Sequence, residues 1–329
     1  MTTSSPALLS VRDLHTHFFS ARGVVRAVDG VSFQVGEGEA IGLVGESGSG
    51  KSMTALSVVG LVPPPGKIVA GSIDFGGKDL LTLNQRAMQA VRATDVAMIF
   101  QDPGAYLNPV MTIGEQIAEA IGKRRSKDPT TTESVLAALR EVQIPEPMRV
   151  AASYPHELSG GMQQRAMIAS ALIRRPRLIV ADEPTTALDA TVQHQILELL
   201  ADLRTRIRAS LIMISHDLAV VRNVCDRVYV MYAGQIIEHG PAAEIFAYPQ
   251  HPYAQALIDS ILDPWAPTRD VPLLPGSPPD MVAPPDGCRF HPRCRHVMEI
   301  CRKAQPPTIA LARDQAAMCW LHEAEKAPA

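Results

Sequence analysis

Apolar residues along this chain fall in short blocks that end in charge or glycine. LLSVRDLHTHF (8–18) and RAVDGVSFQV (26–35) read as strands, and AIGLVG (40–45) is apolar throughout, as a strand covered on both faces is. That block runs into a glycine-rich loop and then KSMTALSVVGLV (51–62), whose spacing is helical. PPPGKIVAGSIDFGGKDL (63–80) is a turn-rich β segment, and the pattern from about 105 to 170 is mostly helical. From 177 onward, strand RLIVAD, helix ATVQHQILELLADLRTRI, strand SLIMISHD, helix LAVVRNVCD and strand RVYVMYAGQIIEHG follow one another. Strands alternating with helices predict an α/β fold with a parallel sheet covered on both faces. Proline density then rises between 252 and 307, marking a tail of different character.

No block approaches the roughly eighteen uninterrupted apolar residues of a membrane span. The N-terminus lacks a basic region followed by an apolar core, so a signal peptide is not expected and the protein reads as soluble and cytoplasmic. With 329 residues, 46% of them hydrophobic, the chain is long enough for two domains and a substantial core. Its net charge of −3 gives no support to a nucleic-acid partner. In a reducing compartment its clustered cysteines suggest metal ligation before disulfides.

Two motifs carry chemistry. In GLVGESGSGKS, Gly45, Gly48, Gly50, Lys51 and Ser52 have the G-x-x-x-x-G-K-[ST] spacing, with Ser47 inside the loop. Glycines let backbone amides turn inward around a phosphate, Lys51 supplies a point charge, and the Ser52 hydroxyl suits Mg²⁺. The helix that starts at Lys51 adds its N-terminal dipole. A glycine-rich turn that happens to hold a lysine is the plainer reading, and the apolar strand before it and the helix after it speak against that. The second motif is RLIVADEP, where Asp182 can hold Mg²⁺ through water and Glu183 can polarise an attacking water. An acidic pair that closes an apolar run, downstream of a phosphate loop, points to a nucleoside triphosphatase that takes ATP and Mg²⁺.

HELSGGMQQRAMIASALIRRP (156–176) resembles the signature of the ATP-binding subunits of ABC transporters. A serine and two glycines opening a helix make a second anion site, although SGG is also a common helix cap. The resemblance implies an ABC-type P-loop domain with an N-terminal antiparallel β subdomain and a helical subdomain at about 102–172. It also implies a head-to-tail dimer, each ATP lying between one chain's Lys51 loop and the partner's Ser159, Gly160, Gly161 and Gln164. By the same resemblance Gln101 senses Mg²⁺ and the attacking water, so that Ser52, Gln101 and Asp182 are the Mg²⁺ set. Asp189 is the acid of the loop that crosses the dimer interface, and His216 contacts the γ-phosphate. Glu183, Gln101 and His216 are then the catalytic residues. Many members have a tyrosine where Arg22 stands, and Phe18 or Phe19 takes over the adenine stacking.

RAVDGVSF, GESGSGKS, AMIFQDP, YPHELSGGMQQR, ADEPTTALDATVQ and HPYAQAL look like the dipeptide/oligopeptide-importer branch over residues 8–322. This implies an ATPase domain at 1–250 and, at 251–329, the C-terminal extension of that branch. It implies peptide import from the cytoplasmic side of the inner membrane, where the chain is peripheral. The expected partners are two transmembrane permease subunits, a second ATPase (a paralogue, hence a heterodimer) and an extracytoplasmic peptide-binding protein. Related ATPases serve nickel, glutathione or oligosaccharide importers, and a soluble ABC ATPase outside transport is the reading from another class. Cys288, Cys294, Cys301 and Cys319 are separated by five, six and seventeen residues, which is no C-x₂-C knuckle. The spacing alone suits a four-thiolate zinc site and an iron–sulfur cluster equally, with unrelated thiols as a third reading. In the resembled branch a similar tail binds a [4Fe–4S] cluster, Zn²⁺ being the alternative. Cys225 reads as a buried apolar side chain, and His291, His296 and His322 as surface or supporting groups.

Overall fold

The computed structural model describes residues 7–122, 128–186, 188–260, 274 and 276–324. Strands β1 (Ala7–Ser20), β2 (Gly23–Gly36) and β3 (Ala40–Val44) lead to helix α1 (Lys51–Val58), then β4 (Gly66–Phe75) and β5 (Lys78–Asp79). Helix α2 (Gln85–Thr94) and β6 (Val96–Ile99) precede five helices: α3 (Pro103–Tyr106), α4 (Ile113–Ala120), α5 (Pro129–Glu141), α6 (Pro147–Ala152) and α7 (Gly160–Leu172). The alternating part holds β7 (Leu178–Asp182), α8 (Ala190–Ile207), β8 (Ser210–Ile214), α9 (Leu218–Val224), β9 (Arg227–Tyr232) and β10 (Gln235–Pro241). After them come α10 (Ala242–Ala247), α11 (Pro252–Asp259), α12 (Glu299–Lys303), β11 (Thr308–Ala310), β12 (Ala316–Met318) and α13 (Leu321–Ala324). The chain divides into two compact units, Met1–Val35 with Ala40–Leu81 and Ile214–Ala329, and Gly36–Glu39 with Thr82–Met213.

In the first unit an antiparallel sheet runs β2-β1-β4-β5, and a second set of strands runs β11-β12-β10-β9-β3. β3 lies parallel to β9, with Ile41 opposite Arg227 and Val44 opposite Val230. All five β3 residues are buried, which is why the block reads as unbroken apolar sequence. At its centre Gly42 lets α9 close in: a Cβ there would sit 2.4 Å from Val221 Cγ1.

The second unit has β8, β7 and β6 side by side, β6 parallel to β7 from Val96–Leu178 to Ile99–Ala181. Its helices α3 to α7 occupy the stretch predicted as helical, and local chemistry sets where they start. Thr112 and Glu115 form a reciprocal capping box at α4. Asp128 caps α5 with Pro129 at its first position, and Ser159 caps α7.

The described residues beyond 251 are tied into the first unit. Glu238 of β10, 1% exposed, accepts the Gln250 and His251 amides at 2.8 and 2.7 Å, and His251 Nδ1 accepts the Tyr253 amide that opens α11. Burial pushes the Glu238 carboxyl up to about 7 from 4.5 and holds the His251 imidazole down to about 3 from 6.5. Folded Glu238 keeps its proton between pH 4.5 and 7, so its contribution to stability is lost as pH rises through that window. Folded His251 stays neutral where the unfolded ring charges, so its contribution is lost as pH falls from 6.5 towards 3. The two oppose each other where the windows overlap. Glu238→Gln removes one of them: its stability to urea should rise by about 3 kcal/mol between pH 4.5 and 6.5, at about 1.4 kcal/mol per pH unit. A variant profile no different from the parent's would contradict these assignments.

Candidate functional site

In the first unit the phosphate loop joins β3 to α1. Gly45 has φ 149°, and a Cβ on it would lie 2.2 Å from the Met231 carbonyl oxygen. Gly50, at φ 104°, is the left-handed N-cap of α1, and a Cβ there would meet the Ala27 oxygen at 2.4 Å. Neither place admits a side chain, so the spacing of the motif is a steric requirement of the loop. Lys51, 6% exposed, donates from Nζ to the carbonyls of Gly45 and Glu46, both at 2.8 Å, and to Ser49 Oγ at 3.3 Å. The ammonium is thus held at the centre of the loop while Ser47 and Gly48 are exposed and Ser52 is half-buried. His216, also in this unit, is exposed between the end of β8 and Asp217, the N-cap of α9. Phe18 packs against Gly66 of β4, whereas Phe19 is 45% exposed.

In the second unit Asp182 is the buried last residue of β7, and Glu183 follows with φ 45°. A left-handed glutamate is strained, and such strain concentrates at functional positions. Two donors hold its Oε2, Gln101 Nε2 at 3.1 Å and Thr186 Oγ1 at 2.9 Å. Gln101, placed by the end of β6, therefore meets Glu183. Thr186 was not legible as a partner: a threonine three residues after the acid has no motif meaning until the turn brings its hydroxyl back.

Ser159, Gly160 and Gly161 open α7 on the surface of this unit, and Ser159 Oγ accepts the Met162 amide at 3.4 Å. Gly161 faces Val192 of α8, where a Cβ would come within 2.9 Å of Cγ1. Asp189 caps α8 by accepting the Val192 amide at 3.0 Å. Gln164 of the same helix is 1% exposed, and its Nε2 has no hydrogen-bond partner among the described residues. The neighbouring Gln163 faces back instead, donating to the Pro155 and Leu158 carbonyls at 2.9 and 3.2 Å.

A family profile described as ABC transporter matches residues 28–186, and one described as Oligopeptide/dipeptide transporter, C-terminal region matches 237–301. The chain is 48% identical over 316 residues to a probable peptide ABC transporter ATP-binding protein, y4tR, of Sinorhizobium fredii, covering 95% of this chain and 94% of that one. It is 47% identical over 302 residues to the oligopeptide transport ATP-binding protein OppD of Escherichia coli, covering 91% and 89%. It belongs to the ATP-binding subunits of the dipeptide and oligopeptide ABC transporters. Among solved structures it resembles the dimeric, post-hydrolysis ATP-binding cassette MJ0796 bound to ADP and Pi, at 26% identity and a TM-score of 0.64, over 71% of this chain and 98% of that one. This ABC subunit is an ATP-hydrolysing one, and no helix among its described residues is long and apolar enough to cross a membrane.

The C-terminal region of the subunit gathers its four cysteines in the first unit. The Cys288 amide donates to the Cys301 carbonyl at 2.8 Å, and the His296 amide to Cys294 Sγ at 3.4 Å. Burial pushes the Cys288 and Cys319 thiols up to about 11, and the other cysteines of the group add to both. Burial also raises Cys294. His291 Nδ1 lies 3.0 Å from the Cys288 carbonyl, and His322 Nε2 lies 3.1 Å from that of Gln250, so both rings have backbone partners. Cys225 is buried at the end of α9. The arginines that flank the first two cysteines, Arg289 and Arg293, are 8% and 9% exposed. Arg289 pairs with Asp29 of β2, which His15 Nδ1 also approaches at 2.9 Å and His17 Nε2 at 3.8 Å. This trio is the one group of His, Cys, Asp or Glu ligand atoms within 4.8 Å of one another among the described residues, and Arg289 already neutralises its carboxylate.

Proposed function

We propose that the subunit energises import of dipeptides or oligopeptides across the inner membrane, docked on the cytoplasmic face of two permease subunits. Likeness to peptide-transport ATP-binding proteins over more than nine-tenths of the chain, cassette and C-terminal region together, carries this reading. In it the Gly45–Ser52 loop holds the triphosphate, with Lys51 as its charge and backbone amides at Ser47, Gly48 and Gly50 as donors. Ser52, Gln101 and Asp182 hold Mg²⁺, which neutralises the developing phosphate charge when bound. Glu183 orients and polarises the attacking water, with Gln101 and Thr186 fixing its carboxylate. His216 contacts the γ-phosphate. Ser159, Gly160 and Gly161 serve the ATP of a second, paralogous ATPase, and the exposed Asp189 lies on that shared face. Phe19, the more exposed of the two candidates, stacks on adenine. Exposed Tyr106 and Val110, beside Gln101 in sequence, give the permeases an apolar surface.

The four cysteines hold a [4Fe–4S] cluster in this proposal. Four cysteines drawn into one region offer four thiolates, the ligand set that such a cluster takes. One preparation tests both parts. The complex is solubilised from membranes without oxygen, its ATPase assayed with and without peptide-loaded binding protein, and its iron, sulfide and zinc measured. Integral membrane partners, peptide-stimulated turnover and about four irons per subunit that vanish in Cys294→Ser are expected. Purification with ribosomes or DNA would overturn the transport role, and stoichiometric zinc would overturn the cluster.

A further inference from the structure

Glu46 is an odd residue for a phosphate loop. It stands between Gly45 and Gly48, where its carboxylate adds negative charge beside a site for a triphosphate. The C-terminal region answers that charge. Arg293, the residue before Cys294, forms a two-pronged pair with it: Nη1 to Oε2 at 2.9 Å and Nη2 to Oε1 at 3.0 Å. The Arg293 side chain is 6% exposed and that of Glu46 24%, so the pair is largely screened from water. The same Nη1 donates to Tyr232 Oη at 3.3 Å.

A second tie comes from α11. The Glu46 amide donates to Tyr253 Oη at 2.7 Å, which turns that amide away from the phosphate-facing side of the loop. Tyr253 is fully buried, and its ring lies 4.7 Å from Tyr232 and 5.5 Å from Phe290 of the cysteine-rich segment. Phe290 also meets Tyr232 edge-on at 5.2 Å. Backbone and side chain of one loop residue are therefore both held by groups from beyond residue 250.

We propose that the C-terminal region is a working part of the phosphate loop, with Arg293 and Tyr253 as positioning residues that neutralise and orient Glu46 and so set the affinity for ATP. This rests on the reading of the Lys51 loop as the ATP site. Without Arg293 the bare carboxylate repels the triphosphate and the loop loses its brace, and the loss should fall on ATP binding before turnover at saturation. Bidentate, partly buried pairs of this kind are specific to arginine, because lysine offers a point charge in place of a planar fork.

The experiment is equilibrium binding of Mg·ATP to the full chain, alongside hydrogen exchange of the 45–52 segment. Arg293→Ala should weaken ATP binding about tenfold or more, equivalent to about 1.4 kcal/mol. Glu46→Gln with Arg293→Ala together should bind better than Arg293→Ala alone, because the unpaired charge is gone. Tyr253→Phe should speed exchange at the Glu46 amide. If Arg293→Ala fails to fold, as shown by circular dichroism, Arg293→Lys takes its place with a smaller expected loss. A folded Arg293 variant with wild-type affinity, or a double variant no better than the single one, would overturn the proposal. Failure of the unaltered chain to bind ATP would instead overturn the reading of the loop.

Discussion

Glu183→Gln should leave ATP bound and hydrolysis nearly abolished. The substitution keeps the shape of the side chain and an oxygen that can accept from Gln101 and Thr186, so the turn at φ 45° has no new reason to collapse. It removes the carboxylate proposed to polarise water, and general-base contributions of this kind are about 10²–10⁴-fold in rate. Phosphate release in a single turnover is the measurement, with retained nucleotide read on the same sample. In the proposed heterodimer bound ATP holds the two ATPases together, so the variant should stay associated with its paralogous partner after ATP is added. Ordinary turnover in the variant would remove Glu183 from the reaction.

Lys51→Ala should lose ATP binding itself. Its ammonium is buried against the carbonyls of Gly45 and Glu46, the loop's own means of placing a positive charge where a phosphate arrives. In the proposed site, deleting it removes charge-assisted bonds to the phosphates, a loss of about 3–5 kcal/mol or roughly 10²–10⁴-fold in affinity. Titration with a fluorescent ATP analogue would show this, and a variant that binds within a few-fold of the parent would contradict the role. The contrast with Glu183→Gln is informative. One substitution fails before binding and the other after it.

Much of this molecule was legible before any coordinates. β3, the phosphate loop and α1 are contiguous in the chain, and their steric demands are local: Gly45 and Gly50 have no room for a Cβ. Likewise the buried strand that ends at Asp182 shows in its own apolar run, and Ser159 shows as a cap because capping acts over three residues, whereas the capping role of Asp189 appears only in the structure. Gln164 is the instructive case. Membership of a motif marks it for the anion site, and only the structure shows that its side chain is buried in the folded chain.

Sequence alone determined the chemistry of each half: a phosphate cradle with its lysine, an acid pair after a strand, a capped helix with two glycines. Those are short-range properties, set by spacing, Cβ sterics and periodicity. Tertiary structure decided which distant groups act on them. Gln101 reaches Glu183 across 82 positions, and Arg293 reaches Glu46 across 247. No local pattern encodes such pairs, because a charge in a proline-rich tail has a partner only once packing has brought one within about 3 Å. The cysteines near the C-terminus first suggest a module of their own. The arginines beside them, Arg289 on Asp29 and Arg293 on Glu46, tie it to the motor.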